Sequence, residues 1–187
     1  MEGDTTQKKL RVFNRWFWLL KLVPYSRRFF LCGSVARGTA RKESDIDFSV
    51  RAQKNRVWLN RILINLVLSA IGKRRTWRNR ADRFCLNASL GGSYYSQTSS
   101  IIGVRTLAEF FLEITLLGPI LELASRKILS TYIESRFRVY PPTSNAVLIL
   151  EKSRIIYHPP KMWKSSGLNV IDRWSSWANN VSSRTFS

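Results

Sequence analysis

The stretch FFLCGSVARGTARKESDIDFSV, Phe29 to Val50, decides how the chain is read. Phe29, Phe30, Leu31 and Cys32 form a short apolar run that stops at a glycine, the pattern of a buried strand running into a turn. Gly33 lets a backbone approach a ligand closely. Ser34 adds a hydroxyl and backbone N–H groups that can hold phosphate oxygens where a helix begins. Asp45 and Asp47 flank Ile46, so in a strand both carboxylates leave from one face while Ile46 and Phe48 leave from the other. Two carboxylates on one face can share divalent cations. Mg²⁺ takes oxygen ligands and binds through one or two carboxylates plus substrate phosphates. Two such ions about 3.5–4 Å apart stabilise both oxygens of an in-line displacement. Taken singly, a Gly-Ser turn or an Asp-x-Asp strand end is ordinary structure. Their conjunction with the Ala36-Arg37-Gly38 turn and a basic linker, inside one βαβ-sized unit, points to phosphate chemistry.

GSVARGTARKESDIDFSV resembles the signature of the DNA polymerase β-like nucleotidyltransferase superfamily, in particular its small bacterial "minimal" members. RVWLNRILINLVLSAIGKRR, ADRFCLNASL and the YHPP at Tyr157 are similar to bacterial nucleotidyltransferase-domain proteins, a looser resemblance. The resemblance implies an α+β, α/β-like fold: a small mixed β-sheet flanked by helices, with a C-terminal helical extension. It also implies that Gly33 and Ser34 grip a nucleoside triphosphate, ATP in the first instance, with Arg37, Lys42 and Ser44 completing the nucleotide site. Asp45 and Asp47 would bind Mg²⁺, two ions in all. The reaction implied is transfer of a nucleoside monophosphate to a hydroxyl with release of pyrophosphate. An RNA 3′ end or tRNA, a protein hydroxyl and a small molecule all remain open as acceptor.

The superfamily places a third carboxylate on a neighbouring strand, as metal ligand and general base. Here that strand is predicted at Arg83–Leu90, with Asn87 as its central polar residue and Asp82 at its start. Asp82 is the candidate third catalytic residue, with a surface ion pair to Arg80 or Arg83 as its structural alternative. Asn87 can offer a carbonyl oxygen but cannot accept a proton. Were Asn87 to fill the third position, the alternative is a catalytically impaired fold acting as a nucleic-acid-binding or antitoxin-like module.

The 187 residues are 44% hydrophobic and 12% aromatic, enough for one well-packed domain with appended helices. Lys and Arg number 31 against 12 Asp and Glu, a formal net charge of +19. Such a balance favours a polyanionic partner, with nucleic acid first and an anionic membrane surface as the competitor. The densest basic cluster is Lys73-Arg74-Arg75 through Arg80, where Trp77 beside Arg78 offers a stacking platform for a base. Cys32 and Cys85 fall inside predicted strands and make no disulfide framework. The single histidine, His158, rules out a zinc cluster or a Ser-His-Asp triad assembled from this chain. MEGDTTQKKL lacks an apolar signal core, so a cytoplasmic protein is expected.

Along the chain, Leu10 to Val23 predicts an amphipathic helix ended by Pro24 and packed on the sheet, forming an N-terminal unit over 1–24. Residues 25–160 would be the nucleotidyltransferase domain and 161–187 a basic, Trp-containing tail. Val57–Ile71 predicts a helix closed near Gly72, its apolar run too short to span a bilayer. Gly91–Ser100 reads as a hairpin or lid-like loop. Val104–Gly118 predicts a helix with Leu107, Phe110, Phe111, Ile114 and Leu117 buried, kinked or ended by Pro119, and a helix resuming over Leu121–Ile133. Glu109 and Glu113 are reserve acids one helical turn apart. Two Pro-Pro turns bracket an apolar run that suggests an extended segment or a short strand pair folding back on the core.

Overall fold

The computed structural model describes residues 2–76, 79–91, 100–139 and 147–158. In chain order its elements are α1 (Glu2–Lys21), β1 (Ser26–Leu31), α2 (Gly33–Ala36), β2 (Ile46–Ala52), α3 (Val57–Ala70), β3 (Phe84–Gly91), β4 (Ser100–Ile102), α4 (Leu107–Ile114), α5 (Leu117–Val139), β5 (Val147–Leu150) and β6 (Arg154–His158). The six strands form one mixed sheet in the order β4-β1-β2-β3-β6-β5. β2 and β3 run parallel, joined by α3 as a βαβ unit, and the other pairs are antiparallel. The expected α+β architecture, with α4 and α5 following the βαβ core, is the one observed.

Alternation along β2 builds the core. Ile46, Phe48, Val50 and Ala52 are all buried. Phe13, Phe17 and Leu20 of α1 and Ile64 and Leu68 of α3 close over Ile46, Phe48 and Val50 in one cluster with Phe29 and Phe84. Phe13, Phe17, Phe29, Phe48 and Phe84 form a chain of ring contacts, with centroids 4.8–6.3 Å apart. Each such side chain stabilises the fold by roughly 1.5–3 kcal/mol through its burial. α1 starts at Glu2, well before the predicted Leu10, because its first turns are also tied down: Thr6 Oγ1 accepts the Ala40 N–H at 3.3 Å. Pro24 lies just past its end, as expected.

α4 and α5 depart from the sequence reading in two ways. The break falls at Thr115–Leu116, where Leu116 adopts φ +56°, and Pro119 sits in the first turn of α5. A proline is tolerated there because first-turn N–H groups have no intrahelical acceptor. The facing is also reversed. Leu107, Phe110, Phe111, Ile114 and Leu117, predicted buried, are 42–87% exposed, whereas Glu109 is buried. Carboxylates attach α4 and the start of α5, while farther along α5 Ile133 and Leu129 pack on Val57 and Trp58. Glu109 accepts from Tyr25 N at 3.1 Å and Arg27 Nη1 at 3.0 Å. Glu113 pairs with Arg56 through Nε at 2.9 Å and Nη2 at 3.0 Å. Glu122 accepts from Trp58 N at 3.2 Å and Leu59 N at 2.7 Å, satisfying first-turn donors of α3 that no side-chain cap serves.

β5 and β6 form the predicted strand pair, and β6 joins the sheet through β3. Of the expected Gly91–Ser100 loop, Gly91 ends β3 and Ser100 begins β4, and these strands are separated by β2 and β1 in the sheet, so they form no hairpin; residues 92–99, the Pro-Pro turns, Trp77, Arg78 and the 161–187 tail lie outside the described residues. Among the described residues no helix is long and apolar enough to cross a membrane.

Candidate active site

Asp45 stands just before β2, and Asp47 is the second residue of that strand. Cys32, leaving β1, donates its N–H to Asp47 O at 2.8 Å, which brings the following turn against the second aspartate. Gly33 there adopts φ +66°, and a Cβ on it would lie 2.2 Å from Asp47 Oδ2. Only glycine fits that approach.

β3 supplies the other wall. Cys85 is the registered partner of Asp47, and Phe48 pairs with Leu86. The register then slips, so Asn87 is left without a partner on β2. Asn87, two residues on from Cys85, hydrogen-bonds to Asp47. Buried Arg61 on α3 holds this irregular backbone: Nη2 donates to Leu86 O at 2.9 Å and Nη1 to Ser89 Oγ at 3.1 Å. Carboxylate oxygens of Asp45 and Asp47 and Cys85 Sγ all lie within 4.8 Å of one another.

Burial first, and the Asp45 charge second, push the Asp47 carboxyl up to about 6, with Arg75, Asn87 and Cys85 pulling the other way. Arg75 is the counterion. Its Nε lies 2.8 Å from Asp45 Oδ2, a charge contact whose N–H is not aimed along the line to the oxygen, and its Nη1 lies 3.4 Å from Cys85 Sγ. Burial raises the Cys85 thiol to about 12 and the Cys32 thiol to about 11. Both therefore stay protonated and neither offers a thiolate. Two hard carboxylates crowded so that one resists ionising suit Mg²⁺, and the neutral sulfur beside them does not. Asp45 and Asp47 are thus the residues that would hold the metal. Asn87 Oδ1 already accepts from Cys85 Sγ at 3.2 Å.

The remaining sequence candidates fall in three places. Ser34 lies in the short α2, and Arg37 is exposed at its end. Lys42 and Ser44 belong to the loop leading to Asp45, whose backbone is gripped by a residue that sequence reasoning missed. Lys9, 1% exposed, points its ammonium at Lys42 O (3.1 Å), Ser44 O (2.8 Å) and Asp82 Oδ1 (2.7 Å). Asp82 is therefore engaged with Lys9 and is not brought into the Asp45–Asp47–Cys85 group. In the basic cluster, Arg74 is exposed and Lys73 Nζ sits 5.8 Å from the centre of the Trp16 ring, whereas Arg75 is turned inward to the acids. Lys9 had a legible signal: it occupies the inward stripe of α1 with Thr6, Phe13, Phe17 and Leu20, where a charge demands a partner. Arg75 and Cys85 had none, because only the β2–β3 register brings them to Asp45 and Asp47.

Residues 11–83 match the nucleotidyltransferase domain family. No curated protein and no solved structure matches the chain. The family match covers α2, both aspartates and α3 and stops one residue short of β3, so the wall carrying Cys85 and Asn87 is known from geometry alone.

Proposed function

From a chain whose residues 11–83 form a nucleotidyltransferase domain of the DNA polymerase β-like superfamily, we propose a Mg²⁺-dependent transferase. It moves a nucleoside monophosphate from a triphosphate, ATP in the first instance, to a hydroxyl and releases pyrophosphate. The observation that carries this reading is the acid pair Asp45 and Asp47 pressed against the Gly33 turn. Gly33 and Ser34 orient the leaving phosphates, and the exposed Arg37 at the end of α2 and Lys42 in the loop to Asp45 neutralise their charge. Ser44 lines the nucleotide side of the loop, held by Lys9. Mg²⁺ bound by the two carboxylates would neutralise charge on the phosphates and on the attacking and leaving oxygens.

In this reading Asn87 occupies the third position and orients Asp47 in place of a third acid. Neither Asn87 nor the Cys85 thiol takes up a proton near neutral pH, so the acceptor's proton passes to water. A second reading, a binding module that has kept the fold without the chemistry, is favoured by the same Asn87 and by Arg75 lying on Asp45. Pyrophosphate release separates the two. Wild-type protein with Mg²⁺, each triphosphate and total RNA should release pyrophosphate above the level of the Asp45→Asn/Asp47→Asn variant. Equal release from both would leave the binding module.

A further inference from the structure

A concavity of about 660 Å³ opens beyond the far end of β2, away from the acids. Arg51 on β2, Lys54 in the turn that follows and Arg105 ahead of α4 line it, and so does Phe110. The two carboxylates in its wall are already engaged, Glu109 on Arg27 and Glu113 on Arg56. Among the described residues, the side chains of Arg51, Lys54 and Arg105 have no ion-pair partner. Thr106, which caps α4 by accepting the Glu109 N–H at 3.2 Å, is also in the wall, so the positive end of that helix adds to the field. Phe110 is 64% exposed. It stands at the cavity because Glu109, the residue before it, is the one drawn inward.

Three uncommitted cations, a helix N-terminus and a bare aromatic ring around one hollow form an anion site with a stacking platform. Backbone phosphates tracked by cations and bases laid on aromatic rings are how single-stranded nucleic acid is held. A free phosphate would leave the ring unused, and an acidic peptide has no comparable need of it. We propose that this concavity is a single-stranded polynucleotide subsite, with Arg51, Lys54 and Arg105 on the phosphates and Phe110 under a base. Asp47 and Arg51 are both odd positions of β2 and leave the same face of the strand, about 13 Å apart at about 3.3 Å per residue. The binding claim stands alone; its consequence, that the acceptor hydroxyl belongs to a polynucleotide, rests on the transferase reading.

The test is anisotropy of short labelled single-stranded RNA and DNA oligonucleotides on the full chain across a salt series. Arg51→Gln/Lys54→Gln/Arg105→Gln should weaken binding more than tenfold and flatten the salt dependence by about two to three released counterions. Phe110→Ala should weaken binding about tenfold with the salt slope unchanged. Lys8→Gln/Arg11→Gln/Arg15→Gln, on the exposed face of α1, removes the same charge elsewhere and should cost less than threefold. Equal loss from both triple variants, or no loss from Phe110→Ala, overturns the site in favour of diffuse attraction to a basic protein. So does inorganic polyphosphate competing as well as the oligonucleotide. Asp45→Asn/Asp47→Asn should keep the binding, so a failed transfer assay alongside intact oligonucleotide binding would count against the transferase alone.

Discussion

The Asp47 carboxylate fills the space in which any side chain at position 33 would begin: a Cβ on Gly33 would stand 2.2 Å from Asp47 Oδ2, on a backbone at φ +66°. Gly33→Ala must therefore displace either the turn or the acid. The expected outcome is a loss of about a hundredfold in kcat/KM for pyrophosphate release, the scale of an ångström-sized misplacement. The left-handed backbone adds a stability loss of about 1–2 kcal/mol, read from thermal melting.

Asp47 also makes the metal-free fold sensitive to pH. Its carboxyl, pushed up to about 6 by burial and by Asp45, titrates near 3.9 in an unfolded chain. Between those values the folded chain holds a proton that the unfolded chain has released. Stability therefore falls as pH rises from about 4 to about 6 and stays lower above that. Asp47→Asn, free of this burden, should melt a few degrees above wild type at neutral pH without Mg²⁺, with the difference gone near pH 4. The Mg²⁺-induced rise in the wild-type Tm should be larger at neutral pH than near pH 5, because binding needs the ionised carboxylate.

Arg75 and Mg²⁺ answer the same negative charge. Arg75→Met leaves Asp45 and Asp47 without their counterion, so the metal-free Tm should fall by several degrees. The Mg²⁺-induced rise should exceed that of wild type, since metal then supplies the charge compensation that Arg75 gave. A smaller rise would show that Arg75 helps to build the metal site and does not stand in for its charge.

Glu109 joins α4 to the sheet. Its carboxylate serves Tyr25 N and the Arg27 guanidinium while nearly buried. Glu109→Gln keeps the shape but strands Arg27, and about 3 kcal/mol of stability should be lost, measured by urea denaturation. Glu113→Gln, whose pair with Arg56 is more exposed, should cost under about 1 kcal/mol.

The strand, glycine turn and Asp-x-Asp strand were legible because each is a local pattern whose period matches its element. α3 was legible for the same reason, its apolar stripe and Gly72 fixing both ends. α4 was legible as a helix but not in its facing. Periodicity shows that Leu107, Phe110, Phe111 and Ile114 share a face, and the usual rule puts that face inward. Here Arg27, Arg56 and the backbone donors at Tyr25, Trp58 and Leu59 drew Glu109, Glu113 and Glu122 inward instead. No window of sequence shows such a long-range demand. The acid pair was readable, but its surroundings were not: Cys85 and Asn87 meet Asp47 only through the β2–β3 register, and Asp82 is engaged by Lys9, distant in sequence.

The central claim is that Asp45 and Asp47 carry nucleotidyl transfer. It is tested most directly by supplying each α-labelled triphosphate with Mg²⁺ to wild type and to Asp45→Asn/Asp47→Asn, then following label into RNA and into protein. Label on one acceptor class with wild type, and none with the variant, is the expected result. Label from neither protein under any triphosphate, with oligonucleotide binding intact, would contradict it and leave a binding protein built on a transferase fold.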